Sequence, residues 1–410
     1  VVLVRREPGQ GALQVFLHRG EDMRVNSTSN RKAARVDYVD WLRVVTTLCV
    51  FVFHSARFFD RFSDWHVKNG VTWMGASIIV AFMSMWIMPM FMVLAGAGTY
   101  YSLRSRNARQ YIGERVLRLL VPFLFGVAVV TAPQRYYELL YREKLSCGNL
   151  VSCYPSYLLC LPQRFAHFGF YHLWFLALLF IFSLICLPLF VKGSKSLFSA
   201  LASRINSPWV LMPVLVLPLA VIDTVAYPGA FWGNRTSFGG WCLIAYVSFF
   251  LSGYVIFASP GIAECTGKLS RFAGAAIVVG IIALIPLRGP LLDWKSYFGT
   301  ASYGAAQLAQ ALLSWGLLIG FITLGRRVFT FKNRFLAYAS EAVLPFYILH
   351  QTVIIMVGYY VVRWELHPAL KYVIIALVSF TLVMGLYDLL IRRIKVLRFL
   401  FGMRGFRKSG

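Results

Sequence analysis

Acidic residues are scarce in this chain of 410 residues: 16 Asp and Glu stand against 41 Lys and Arg, giving a formal net charge of +25. Charged residues of either sign make up only 14%, which is too few to cover the surface of an ordinary soluble globule. The basic residues fall between apolar runs and form no soluble basic domain, which excludes nucleic-acid binding as the meaning of the charge. Ligand-type cysteine pairs are also missing. The seven cysteines, at 49, 147, 153, 160, 186, 242 and 265, contain no Cys-x-x-Cys, and no metal site is expected even though His167 follows three of them in one loop. There is no Gly-x-Ser-x-Gly elbow for a hydrolase and no Walker loop for a nucleotidase. Nor do the apolar segments divide into two matching halves with paired broken helices, as those of many transporters do. No cleavable signal peptide is visible, because the first long apolar run starts after forty residues and leads straight into the core.

Apolar sequence, by contrast, is abundant. Hydrophobic residues make up 59% of the chain, with 34 Phe, 21 Tyr and 11 Trp, and the mean hydropathy is +0.66. The expectation is an all-α, polytopic transmembrane helix bundle of about ten spans. They lie roughly at 41–59, 74–102, 116–133, 171–190, 208–227, 239–258, 272–287, 302–324, 336–361 and 370–391. The second carries Pro89 and is expected to be kinked or divided. Three parts follow: a cytoplasmic extension 1–36, a membrane domain 37–393 and a basic cytoplasmic tail 394–410. Position 1 is not methionine, and Met23 offers another start, so the first 22 residues read as a gene-start artefact or a remnant.

Loop charges set the orientation. With the amino terminus inside, the internal loops carry the larger excess of Lys and Arg over acids, and the tail adds Arg392, Arg393, Lys395, Arg398, Arg404, Arg407 and Lys408 on the same side. Both termini are then cytoplasmic, and the 134–170 loop with Cys147, Cys153 and Cys160 faces the oxidising side, where a disulfide is expected among the three. The aromatics of that loop, Tyr136, Tyr137, Tyr141, Tyr154, Tyr157 and Phe165, suit either a sugar-stacking platform or an interfacial belt.

The chemistry centres on Asp37-Tyr-Val-Asp-Trp-Leu-Arg43 and the apolar run that carries it to His54. Eleven residues are close to three helical turns, so Arg43 and His54 share nearly one face about 16 Å apart. Ionisable groups aligned inside a membrane helix need partners or a wet cavity. Arg115 and Arg118, where the third span begins, form a guanidinium pair suited to phosphate, although the positive-inside rule alone also accounts for them. Glu341 enters the ninth span from the cytoplasm and His350 lies nine residues deeper, while His54, His172 and Asp223 occupy the middle to outer half. An anionic donor held inside and an acceptor approaching from outside fit acyl transfer, with His54 as general base.

Several phrases together resemble the membrane-bound acyltransferase 3 family. They are Asp40-Trp-Leu-Arg43 with His54, Phe91-Met-Val-Leu-Ala-Gly96, Arg115-Val-Leu-Arg118 with Pro122, His172-Leu-Trp-Phe-Leu176, and Glu341-Ala-Val-Leu-Pro-Phe-Tyr-Ile-Leu-His350-Gln351. Ala95 stands where the family commonly has serine, so no hydroxyl there is essential. The closing phrase is especially like the glucan-modifying succinyltransferase branch. The resemblance implies O-acyl transfer from a coenzyme A thioester, acetyl-CoA or succinyl-CoA, to a hydroxyl of a carbohydrate or glycan, with the thioester as substrate and no permanently bound cofactor. It further implies a bacterial inner-membrane location and functional roles for Arg43 and His54; Asp40, His350 and Glu341 complete the expected catalytic set, and Arg115 and Arg118 the donor site. Two other readings share this topology: a transporter of an anionic or lipid-linked solute, and a sensor or assembly subunit without chemistry.

Overall fold

The structure is a computed structural model describing residues 37–403 except 63, 146, 193–203, 206 and 229–238. The extension 1–36 and the last seven residues of the basic tail lie outside the described residues.

Among the described residues, eight helices are long and apolar enough to cross a membrane: α1 (Asp37–Ala56), α2 (Met74–Leu103), α3 (Ala108–Tyr141), α6 (Pro208–Val225), α8 (Pro260–Leu284), α9 (Ala301–Val328), α10 (Arg334–Val361) and α11 (Pro368–Ile391). Three shorter apolar helices are α4 (Leu150–Leu159), α5 (Tyr171–Ile185) and α7 (Ala245–Ala258). Each of the ten expected spans thus coincides with a helix, but those at 171–190 and 239–258 fall on the shorter α5 and α7. A final short helix, α12 (Lys395–Leu400), follows α11 within the expected tail.

Proline chemistry explains the break in α2. The helix divides at Met85–Trp86, which puts Pro89 in the first turn of the segment Ile87–Leu103. There its missing N–H costs nothing, whereas an unbroken helix would have set its ring against the carbonyl of residue 85. The inner part of α2 packs backbone to backbone on α7. A Cβ on Gly96 would stand 2.1 Å from Phe250 O, and one on Gly253 would stand 2.1 Å from Val93 O. Only hydrogen fits at both positions, the close approach of helices that small residues permit in membranes. The glycine of the Phe91–Gly96 phrase therefore has a packing reason of its own.

At its Arg43 end, α1 packs Trp41 among Phe329, Phe331 and Phe335. Further along, Phe51 meets Phe346 and Phe380, and just past the helix end Phe58 fills the space that Gly358 leaves open on α10. The chain after α1 folds back over this end. Asp60, fully buried, accepts from Arg57 Nη1 at 3.0 Å and from Phe62 N at 2.7 Å, and its second oxygen is 3.3 Å from Lys68 Nζ. Burial lowers the pKa of both cations, and Asp60 opposes that shift.

Of the two readings of the aromatic loop, the hydrogen bonds of its tyrosines count against a free sugar-stacking platform. α3 continues to Tyr141, and the tyrosines are bonded to the bundle: Tyr141 Oη to Lys68 O, Tyr154 Oη to Ala128 O, Tyr157 Oη to Val127 O, and Tyr137 Oη with Tyr360 Oη. Phenol hydroxyls near a helical end find buried carbonyls there, and this takes them out of a free stacking surface. Cys147 and Cys153 form a disulfide with a Cα–Cα distance of 5.3 Å, while Cys160 is free and exposed.

Candidate functional site

Four of the chain's seven histidines gather at one place. His54 comes from the end of α1, His172 from the first turn of α5, His350 from the middle of α10, and His66 from the segment after α1. The rings of His54 and His350 lie 5.2 Å apart between centroids, and those of His172 and His350 lie 5.0 Å apart. Trp65 lies nearly parallel to His54, at 6.0 Å and 12°, and closes that side.

Backbone carbonyls set two of the tautomers. His350 Nδ1 is 2.7 Å from Tyr347 O, and a carbonyl can only accept, so the proton sits on Nδ1. Nε2 of His350 is left as a buried lone pair without a hydrogen-bond partner. By the same logic His172 Nε2 donates to Ile348 O at 3.0 Å, which leaves its Nδ1 open and buried. Tyr347 ties the pair together, since its hydroxyl donates to His172 O. His54 Nδ1 is likewise buried without a partner. Three imidazoles with open nitrogens around one point can pass a proton, because an unprotonated ring nitrogen is a base at neutral pH.

A polar shell braces the fourth histidine. His66 Nε2 receives Gln134 Nε2 at 3.2 Å and Gln351 Nε2 at 3.1 Å, while Glu138 Oε2 lies 3.4 Å from its Nδ1. Glu138 is held by Arg135 Nη1 at 3.3 Å, Arg142 Nε at 3.5 Å and Tyr171 Oη at 3.2 Å. Tyr171 has a left-handed backbone, φ 52°, immediately before His172. That conformation costs a side-chain-bearing residue roughly 1–2 kcal/mol, and Arg164, 2.9 Å from its hydroxyl, and Glu138 hold it in place. Among the described residues, no three His, Cys, Asp or Glu side chains are arranged to hold a metal ion.

The other expected site residues lie at the opposite, basic end of α1. Arg43 Nη1 pairs with Asp40 Oδ1 at 2.7 Å, and its guanidinium reaches within 3.8 Å of where a Gly98 Cβ would stand. Arg115 lies over the Tyr111 ring at 4.5 Å, and its Nε is buried without a hydrogen-bond partner. Arg118 Nε is 3.6 Å from Glu114 Oε1, in a wide π-helical turn Val116–Leu120 that precedes Pro122. Glu341 is held by Arg398 Nη2 of α12 at 3.0 Å, with Arg392 Nε 3.9 Å away. The structure therefore brings His54 to His350 and joins Asp40 to Arg43, but gives Glu341 to the C-terminal arginines and not to the histidines.

The sequence placed His172 and Gln351 in family phrases without assigning them to the site, and it gave no sign of His66, Gln134 or Glu138 as site residues. One usable signal was the scarcity of histidine itself. In an apolar bundle each buried imidazole needs a reason, and His54, His172 and His350 already lay at similar depth.

The chain is similar to known proteins along most of its length. A family model described as "Acyltransferase domain", of the acyltransferase 3 type, matches residues 36–388. Similar curated proteins include "Glucans biosynthesis protein C" of Salmonella heidelberg (strain SL476) and of Salmonella typhi, each 24% identical over 381 residues. Those matches cover 91% of this chain and 96% of each relative. No solved structure matches. The apolar helices and the bacterial relatives make this an integral, multi-pass inner-membrane protein. With the match spanning nearly all of the described bundle, the chain belongs to the acyltransferase 3 family of membrane acyltransferases.

Proposed function

We propose that this protein moves an acyl group, acetyl or succinyl, from a coenzyme A thioester to a hydroxyl of a glycan, with a glucan as the first acceptor to try. The observation that carries this reading is the meeting of His54 and His350, from helices nearly three hundred residues apart in sequence, with open nitrogens inside the bundle. The donor approaches from the cytoplasmic, basic end, where Arg43, Arg115 and Arg118 supply guanidinium groups for its phosphates. The acceptor approaches from the end closed by Trp65 and His66. Its hydroxyl attacks the thioester carbonyl while His54 takes the hydroxyl proton; the tetrahedral intermediate collapses, the C–S bond breaks, and the proton passes to the departing thiolate sulfur. His350, whose proton is fixed on Nδ1, is the neighbour able to share it. Both termini are cytoplasmic in this scheme, and Asp40 orients Arg43, while Glu341 stays with the C-terminal arginines. The glucan acceptor is taken from the name of the curated relatives and from the polar shell around His66.

The test is incubation of the purified protein with succinyl-CoA or acetyl-CoA labelled in the acyl group, together with glucan oligosaccharides. The reading expects label in ester linkage to the sugar and free coenzyme A in equal amount. Solute crossing a vesicle membrane unchanged, with no thioester consumed, would favour a transporter on the same bundle.

A further inference from the structure

The hydrogen bonds around His66 leave the buried amide oxygen of Gln351 without a partner. Glu138 is an ionised carboxylate fixed by two arginines and a tyrosine, and its charge beside His66 Nδ1 favours a proton on that nitrogen. With the proton on Nδ1, Nε2 is a lone pair, and it can only accept. The amide N–H groups of Gln134 and Gln351 therefore both turn toward it, at 3.2 and 3.1 Å. This orientation fixes where the two amide oxygens go. Gln134 Oε1 lies 3.5 Å from Thr352 Oγ1, whose one proton it shares with Val130 O at 3.0 Å. Gln351 Oε1 is met by nothing: the residue is 2% exposed, and the oxygen is buried without a hydrogen-bond partner. It belongs to the residue directly after His350, whose Nε2 is also unmet.

An amide oxygen buried without a donor costs on the order of 1–3 kcal/mol, and here the whole chain from Glu138 to His66 works to keep it oriented. We infer that Gln351 Oε1 is a subsite for a neutral hydroxyl of the acceptor, a second hydroxyl of the sugar whose first hydroxyl reacts beside His54. A neutral carbonyl oxygen in this position accepts a hydrogen bond from a polyol. It offers nothing to a carboxylate, which has no proton to give at neutral pH, and the nearby Glu138 repels carboxylate and phosphate alike. Specificity of this kind can be large, because a site built to bond a hydroxyl discriminates against the analogue that lacks it. Glu138, His66 and Gln134 are positioning residues for this oxygen, and Gln351 is the group that touches substrate.

The inference rests on the glycan acyltransfer reading, and direct binding separates the two. Purified protein in detergent, without donor, is titrated with a glucose oligosaccharide and followed by tryptophan fluorescence, to which Trp65 contributes. Gln351→Met removes the oxygen at similar volume and should weaken glycan binding about tenfold, with succinyl-CoA binding unchanged. A series of monodeoxy glucosides needs no variant at all: wild type should lose about tenfold for one member. Equal glycan affinity in Gln351→Met, a parallel loss of donor affinity, or a monodeoxy series bound uniformly would each overturn the subsite. A protein that binds glycan through Gln351 but never consumes acyl-CoA would support the subsite and overturn the acyltransfer reading.

Discussion

His350 shows how a single backbone contact can prepare a base. Its Nδ1–H is fixed on Tyr347 O, so Nε2 always carries the lone pair, in a ring whose centroid is 5.2 Å from that of His54 and 5.0 Å from that of His172. The arginines at the basic end are prepared differently. Arg118 shares Glu114 with Arg106, so a phosphate there would compete with an existing carboxylate contact. Arg118→Gln is nonetheless expected to raise the apparent donor KM roughly tenfold to a hundredfold, the worth of a charge-assisted hydrogen bond, without moving acceptor KM. Steady-state kinetics with each substrate varied would show it, and an unchanged donor KM would return Arg118 to a topological role. At this scale the sequence made only part of the site legible. Arg43 and His54 stood out because charge inside an apolar run is conspicuous. His66 and Glu138 did not, because they sit in segments that read as ordinary polar loop, and only the fold brings them under Gln351.

At the scale of elements, the segment after α1 and the α2–α7 crossing each depend on a particular residue, Asp60 and Gly96. Asp60 serves two cations and a backbone N–H while fully buried. Removing one partner of a buried ion pair costs about 3–5 kcal/mol, so Asp60→Asn should lower the thermal midpoint in detergent by several degrees and loosen the Trp65–His66 segment. A midpoint equal to wild type would contradict this account of the loop. Gly96→Val should be worse still, since its Cβ would meet the backbone of Phe250 and Tyr254; loss of folded protein from the membrane fraction is the expected outcome. Hydropathy made the helices legible because about twenty apolar residues are what a membrane span requires. It did not reveal how far α3 extends into the supposed outer loop, because Gln134–Tyr141 is polar on one face and reads as loop until Tyr137 and Tyr141 find their partners.

The whole molecule separates two chemistries along α1. Arg43 and Asp40 are at one end, His54 is near the other, and the helix rise keeps them about 16 Å apart. That distance suits a donor with a charged head and a thin arm, and an acceptor that never enters the cytoplasm. Topology follows from the same separation. A reporter placed after Gly148 should register on the external side and one after Gly410 on the cytoplasmic side; two reporters on one side would contradict the orientation. The charge bias of the loops is the ground for that orientation, whereas the convergence of His54, His172 and His350 depends on contacts between distant segments that no periodicity encodes. The claim that joins both ends is that the histidine cluster moves the proton of an acyl transfer. It is tested most directly by measuring turnover of labelled acyl-CoA and glycan, at saturating concentrations of both, for wild type and His54→Gln, with membrane yield as the folding control. The account predicts a variant that inserts normally and turns over about 10²–10⁴-fold more slowly, the usual worth of general acid–base catalysis. A His54→Gln protein that kept wild-type turnover would contradict it.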